Sequence, residues 1–296
     1  MELSTLLQYK PYSTARTEKR ALYAGLLTEL TQFHREHCPE YGRLLDALGC
    51  PAHMDCTVES TPMLPVSLFK ELELRSIPEG EVFKTLTSSG TTGQRVSRIF
   101  LDGATSACQQ QALCQIMSDF LGERRLPFLV LDSRQVLRNR AMFSARGAGI
   151  LGFSIFGTRP CYALDEHMEL DLDGVRAFLE EHQGETIFLF GFTFIIWKHV
   201  VRALEERGER LDIPNGILVH GGGWKKLAGE AVSPGEFKAR VAAATGVERV
   251  SNYYGMAEQT GCIYMECPQG HLHASLWSDI VVRRGRDYRP CEPGEE

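Results

Sequence analysis

The chain has 296 residues, with 32 Lys plus Arg against 38 Asp plus Glu, giving a formal net charge of −6 with histidine neutral. A protein that grips nucleic acid through its phosphates carries a basic face; neither a positive balance nor a long Lys/Arg run is present, which argues against general nucleic-acid binding. At 43% hydrophobic and 24% charged residues, the composition is that of a soluble globular protein with material for a sizeable core, not of a disordered chain.

In chain order, Leu22, Leu26, Leu30 and Phe33 recur at helical spacing with charges between them, which predicts helix from Thr17 to Leu48 and a helical N-terminal segment over residues 1–60. From Leu126 the pattern changes to short β-rich runs: PFLVLD at 127–132, TIFLFGF at 186–192, GILVH at 216–220 and VERVSNYY at 247–254. Helices fill the gaps. Asp173 is the expected cap of one that runs to about Glu181, with Gly184 past its end, and Phe194 to Arg207 reads as another stopped by Gly208. Ser233-Pro234-Gly235-Glu236 has capping-box spacing with proline at the first helical position, followed by a run to Thr245 and a stop at Gly246. Strands alternating with such helices predict an α/β fold with a mainly parallel sheet over 61–296. There is no internal repeat or obvious linker.

The most apolar stretch, Thr186 to Trp197, is bounded by Glu185 and Lys198 and falls short of the roughly 20 residues a membrane helix needs. The N-terminus meets charge early and lacks the apolar region of a secretory signal. The 9 cysteines are odd in number and contain no C-x-x-C pair, which suits a reducing compartment. A cytoplasmic protein without a membrane span is expected.

Three glycine-punctuated segments follow or approach predicted strands, where open α/β sheets place their ligands. The first is Thr87-Ser88-Ser89-Gly90-Thr91-Thr92-Gly93, whose side chains are hydroxyls or absent, so backbone and hydroxyl donors can close around an anion. It lacks Walker spacing, and a flexible Ser/Gly turn is the alternative. The second is Gly221-Gly222-Gly223 within HGGGWKK, where missing Cβ atoms would let backbone lie against a planar ring; a plain loop explains it equally well. The third is SNYYGMAE at 251–258. Here Tyr254 can stack on a base, Asn252 can bond its edge, and Glu258 can hold Mg²⁺; a strand end with a surface carboxylate is the alternative.

Taken together, T-S-S-G-T-T-G resembles the phosphate loop of adenylate-forming enzymes, and N-Y-Y-G-M-A-E resembles their adenine and magnesium motif. The strings TPMLPVSLFKELELRS (61–76), TLTSSGTTGQRVSRIFLD (85–102), GFTFIIW (191–197), HGGGWKK (220–226) and YYGMAEQTGCIYMEC (253–267) resemble, more narrowly, the acyl-protein synthetases. These are the fatty-acid-activating ligases of bacterial luminescence and their relatives. The resemblance implies that Thr87, Ser88, Ser89, Gly90, Thr91, Thr92 and Gly93 surround the ATP phosphates. It implies that Gly221, Gly222 and Gly223 run along the adenine, with Asn252 on its edge, Tyr254 on its face, Gly255 adjoining, and Glu258 on Mg²⁺. Thr91, Thr92 and Glu258 would then be the catalytic residues.

Two positions depart from the wider superfamily. Ala257 stands where many members have threonine, so the α-phosphate contact that the resemblance implies is either lost or moved to Thr260 or Gln259; Gln94-Arg95 replaces a common Pro-Lys pair, leaving Arg95 as the candidate cation.

The implied reaction is attack of a carboxylate on the α-phosphorus of ATP, followed by acyl transfer to a thiol. A carboxylate is already an anionic nucleophile at neutral pH and needs no general base. Partners implied are a fatty or other carboxylic acid and an acyl-reductase or carrier protein. An aryl- or acyl-CoA ligase is the nearest alternative, and a non-catalytic nucleotide-binding module another. Phe190, Phe192, Phe194 and Trp224 are candidate acyl lining, with core packing as the competing explanation. Cys262, Cys267, His271, His273 and Cys291 are a candidate structural Zn²⁺ set, although their spacing is not a standard zinc pattern. The closing Pro293-Gly294-Glu295-Glu296 resembles a string that precedes the ribose-binding aspartate, hinge and small C-terminal domain of these enzymes. On that resemblance the chain is expected to be an N-terminal portion, with the acyl-accepting cysteine beyond it.

Overall fold

The computed structural model describes residues 3–88, 95–137, 145–292 and 294–295, and the chain divides into two compact units. One comprises Met1–Ile116, Gly255–Ile263 and Ala274–Glu296. It contains helices α1 (Leu3–Leu6), α2 (Arg16–His37), α3 (Pro39–Ala47) and α4 (Leu68–Glu71), then the antiparallel hairpin β1 (Lys84–Thr87) and β2 (Arg98–Leu101). Helix α5 (Gly103–Leu121) runs from this unit into the second.

The single helix predicted over Thr17–Leu48 is divided at Cys38, which has an extended backbone at φ −125° and ψ 97°. Pro39 crowds the residue before it out of the helical region and then opens the next helix, where its missing N–H is no loss. Leu26, Cys38 and Leu45 form part of the buried face. The last segment of the chain is tied to these helices: the Tyr23 hydroxyl donates to the Leu276 carbonyl at 2.7 Å, and the Trp277 indole donates to Leu6 O at 3.0 Å.

The second unit, Met117–Tyr254 and Tyr264–His273, is built on a 7-stranded sheet among the described residues, in the order β4-β3-β5-β6-β7-β8-β9. In chain order its elements are β3 (Leu126–Ser133), α6 (Ala145–Phe153), β4 (Gly157–Leu164), α7 (Leu172–Glu181) and β5 (Ile187–Phe192). A continuous helical stretch follows, made of α8 (Thr193–Ile195), a π-helical turn at Ile196–Val201 and α9 (Arg202–Arg207). Then come β6 (Gly216–Gly221), α10 (Pro234–Thr245), β7 (Arg249–Tyr254), β8 (Tyr264–Glu266) and β9 (Leu272–His273). The strands from β4 to β7 pair in parallel, and β8 and β9 add antiparallel.

Strands β5 and β6 are buried at every residue, which is why they read as continuous apolar runs rather than alternating ones: a parallel strand covered on both faces has no wet side. The Phe128 and Phe188 rings stack at 4.8 Å and those of Phe153 and Phe190 at 4.4 Å, each buried phenylalanine contributing about 2 kcal/mol.

The capping box behaves as its spacing requires, with the Glu236 N–H donating to Ser233 Oγ at 3.1 Å and Gly246 ending α10 at φ 75°. Helix α7 is capped two residues earlier than expected. Asp171, not Asp173, accepts from the Gly174 N–H at 3.0 Å; Asp173 sits inside the first turn, where a carboxylate favours the positive end of the helix. Strand β4 has no clear sequence signal because it carries Pro160 and a left-handed Arg159 at φ 44°, features that only an edge strand tolerates. No helix among the described residues is long and apolar enough to cross a membrane.

Candidate functional site

The sheet order places β3 between β4 and β5, so the chain leaves β3 toward one edge and later leaves β5 toward the other. Such a reversal opens a crevice at the carboxyl ends of the strands. The glycine run and the aromatic motif emerge at the same carboxyl ends, on the neighbouring parallel strands β6 and β7 beyond β5: in the β6–β7 register His220 faces Asn252 and Gly221 faces Tyr253.

The three glycines have different reasons to be glycine. A Cβ at Gly221 would lie 2.5 Å from the Tyr253 ring, and Gly222 has φ +77° with the Phe192 ring 2.9 Å from where its Cβ would stand. Only Gly223 has no heavy atom within 4 Å of that position. Two of the three are thus required by the protein's own packing, and the third borders open space.

Adjacent tyrosines split by strand alternation. Tyr253 is half-buried beside Phe153 and Phe190, and burial of its hydroxyl pushes its phenol up to about 12. Tyr254 points the other way, 51% exposed, with the Tyr264 ring 6.1 Å off. Asn252 is half-buried, and its backbone N–H donates to Glu266 Oε2 at 2.8 Å. Glu266 is itself buried and receives the Lys238 ammonium from α10 at 2.9 Å. The strand end that carries Asn252 and Tyr254 is therefore held by an ion pair on its far side.

Behind Gly221, Thr193 Oγ1 lies 3.1 Å from the Gly221 carbonyl and 2.9 Å from His220 Nδ1. Burial, reinforced by the Lys238 charge, pushes the His220 pKa down to about 3, so the ring is neutral at physiological pH. At the carboxyl end of β3, Asp132 is fully buried and is gripped by Arg146 of α6, whose Nε donates at 2.9 Å and whose Nη2 bonds the second oxygen. Sequence reasoning missed Asp132, Arg146, Thr193, His220 and Glu266, because each gains its meaning from a partner 14 or more residues away.

The other predicted positions belong to the first unit. Thr87 ends β1 in an exposed position, and Ser88 closes the hairpin: its N–H donates to Ser97 O at 3.2 Å and its Oγ accepts from the Ser97 N–H at 3.0 Å. Ser89, Gly90, Thr91, Thr92 and Gly93 lie outside the described residues. Arg95, the expected stand-in cation, pairs with exposed Glu71 at 2.7 Å. Gly255 follows Tyr254 directly along the chain. The Gln259 N–H donates to Met256 O at 3.1 Å, which puts Ala257 and Glu258 at the centre of a tight turn. Glu258 is half-buried, and among the described residues no cation pairs with it. A single uncommitted carboxylate suits Mg²⁺, which keeps much of its water and takes few protein ligands.

The acyl-lining expectation is corrected for Phe190, which is fully buried, stacked on Phe153 and edge-on to Phe192: it belongs to the core. Trp224 meets Trp197 edge-on at 5.3 Å and Phe194 is half-buried. The zinc expectation is corrected as well, since among the described residues no three His, Cys, Asp or Glu side chains assemble as a metal requires. Cys262 is instead a buried thiol that donates to Trp277 O at 3.2 Å, raised in pKa by burial, and the C-x-x-x-H spacing of Cys267 and His271 is that of a reverse turn, with the Cys267 N–H donating to His271 O at 2.9 Å. All 9 cysteines are free.

The mixed α/β architecture with its mostly parallel sheet is that of adenylate-forming enzymes. An open conformation of 2-hydroxyisobutyryl-CoA ligase in complex with 2-HIB-AMP and CoA matches with a TM-score of 0.67 at 16% identity, over 98% of this chain and 64% of the ligase. The same ligase in its thioesterification state matches at 0.66 and 19% identity, over 96% of this chain and 59% of that one. The chain thus spans less than two thirds of these relatives' length. No curated protein matches the chain significantly by sequence. The family profile described as Acyl-protein synthetase, LuxE, matches residues 2–296, and the chain belongs to that family.

Proposed function

We propose that the chain supplies the adenylating part of an AMP-forming acid–thiol ligase, which activates a fatty acid with ATP and passes the acyl group to a protein thiol, with an acyl-reductase or carrier protein as the downstream partner. Family membership over residues 2–296 supports the reaction class. The observation that carries the nucleotide assignment is the pairing of strand ends: Gly223 borders open space at the end of β6, and an outward-facing Tyr254 ring ends the neighbouring β7.

In this reading Tyr254 supplies the stacking face, Asn252 a hydrogen-bonding edge, and the exposed backbone of Gly222 and Gly223, led out of the sheet by buried Gly221, a surface without Cβ atoms. Thr87, Ser88, Ser89, Gly90, Thr91, Thr92 and Gly93 orient the phosphates through hydroxyl and N–H donors, and Gly255 lets the chain turn away from them. Glu258 holds Mg²⁺, which when bound offsets charge on the phosphate oxygens. The substrate carboxylate needs no base, so positioning and charge neutralisation are the protein's whole task.

Acid-dependent exchange of pyrophosphate into ATP, across a panel of carboxylic acids, tests the reading. Glu258→Ala should reduce exchange at least a hundredfold, as expected for a group that organises transition-state charge, and an unchanged rate rejects the assignment. A second reading takes CoA as the acceptor, because the similar solved ligase carries CoA in its complex. Acceleration of AMP release by CoA would favour it over a protein thiol.

A further inference from the structure

Thr193, the first residue of α8, is buried, and its hydroxyl joins two groups of β6. Oγ1 is 3.1 Å from the Gly221 carbonyl and 2.9 Å from His220 Nδ1, and Thr193 and His220 are 7% and 4% exposed. A threonine hydroxyl has one proton. If that proton goes to the Gly221 carbonyl, Oγ1 must accept from His220, which puts the imidazole proton on Nδ1 and leaves Nε2 as a bare lone pair. The opposite assignment would leave the Gly221 contact without a proton and bury an Nε2–H that has no hydrogen-bond partner among the described residues. A buried donor without an acceptor costs about 1–3 kcal/mol. The first assignment satisfies the hydroxyl, the carbonyl and the ring N–H together, and it leaves at Nε2 a lone pair in place of a stranded N–H.

Gly221 still pairs with Phe192 and Tyr253 in the sheet, but beyond it the glycine run leaves the ladder. Gly222 is exposed and left-handed, and no heavy atom comes within 4 Å of where a Gly223 Cβ would stand. Without side chains, such a segment samples many backbone states unless its first carbonyl is fixed. We infer that Thr193 and His220 form a buried lock on the Gly221 carbonyl, and that Thr193 is a positioning residue for the nucleotide side of the site. The nucleotide clause rests on the adenylation reading; the lock itself does not.

The test compares Thr193→Val, Thr193→Ser and His220→Asn with the wild-type protein. Valine conserves shape without a hydroxyl, serine restores the hydroxyl, and asparagine places an amide N–H where Nδ1–H stands. Two measurements are made on each: amide hydrogen exchange across residues 221–224 and the Kd for ATP. Thr193→Val should speed exchange in this segment and weaken ATP about tenfold, while Thr193→Ser and His220→Asn stay within about threefold of wild type on both. Unchanged exchange in Thr193→Val overturns the lock. Faster exchange throughout the sheet, not recovered by serine, overturns it as well, because that is a general loss of packing. If the wild-type protein binds no ATP, the nucleotide clause fails together with the adenylation reading, and the exchange data decide the lock alone.

Discussion

The ring of Tyr253 lies against the α-carbon of Gly221, so close that a β-carbon on Gly221 would come within 2.5 Å of it. Withdrawal of Tyr253 would disturb its packing on Phe153, with ring centroids 5.0 Å apart, and on Phe190, at 6.1 Å. One tyrosine therefore dictates a glycine on the next strand, and the alternation of β7 turns Tyr254 outward in the same step.

Gly221→Ala should destabilise the protein by about 1–3 kcal/mol, the usual range for overpacking a filled core. Gly223→Ala, whose Cβ meets nothing, should stay within about 0.5 kcal/mol of wild type while weakening ATP binding. Urea midpoints for the two variants separate these roles; equal losses would mean that the Tyr253 contact does not govern the glycine.

His220 gives a pH signature. Its folded pKa of about 3 lies below the ordinary value of 6.5, so between those two limits the unfolded chain binds a proton that the folded chain does not. Stability from this group is fully present above about pH 6.5 and declines as pH falls toward 3, by at most about 1.4 kcal/mol per pH unit. Comparing wild type with His220→Asn from pH 7 to 4 isolates it: the wild type should lose more stability than the variant, and parallel curves would contradict the assignment.

The Lys238–Glu266 pair should matter through Asn252. Glu266→Ala removes both the carboxylate facing the ammonium at 2.9 Å and the acceptor of the Asn252 N–H at 2.8 Å, with an expected loss of about 3 kcal/mol. Glu266→Gln keeps an acceptor for that N–H and should lose less. Hydrogen exchange at Asn252 should rise sharply in the alanine variant and modestly in the glutamine variant.

At the end of β3, Arg146→Met would take both guanidinium bonds from the buried Asp132 carboxylate, which also accepts from the Ser133 N–H at 2.7 Å. A loss of about 3–5 kcal/mol is expected, as for any buried pair broken on one side. Adding Asp132→Leu should recover a large part of it, and a double-mutant cycle measures the coupling. Strict additivity of the two losses would show that the pair is not coupled.

Much of the fold was legible because its strands are short apolar runs between helices with clear caps; β5, β6 and β7 fall within two residues of their predicted starts. The rest was hidden for definable reasons. Strand β4 looks like a loop because an edge position tolerates Pro160, and β8 is only Tyr264–Glu266, too short for any period to show. The residues expected at the strand ends, Gly221 to Gly223, Asn252 and Tyr254, were readable from a contiguous motif. Thr193, His220 and Glu266 were not, since a threonine at a helix start and a histidine in a strand carry no local mark of the bond they share. Glycine itself misled in part: HGGGWKK suggests three residues cleared for a ligand, whereas Tyr253 and Phe192 account for two of them.

The most direct test of the site is photolabelling with 8-azido-ATP followed by mapping of the modified peptides. Label should fall within residues 216–224 or 249–258, be displaced by excess ATP, and diminish in Tyr254→Ala. Label confined to other parts of the chain, or insensitive to competing ATP, would contradict a nucleotide site at the carboxyl ends of β6 and β7.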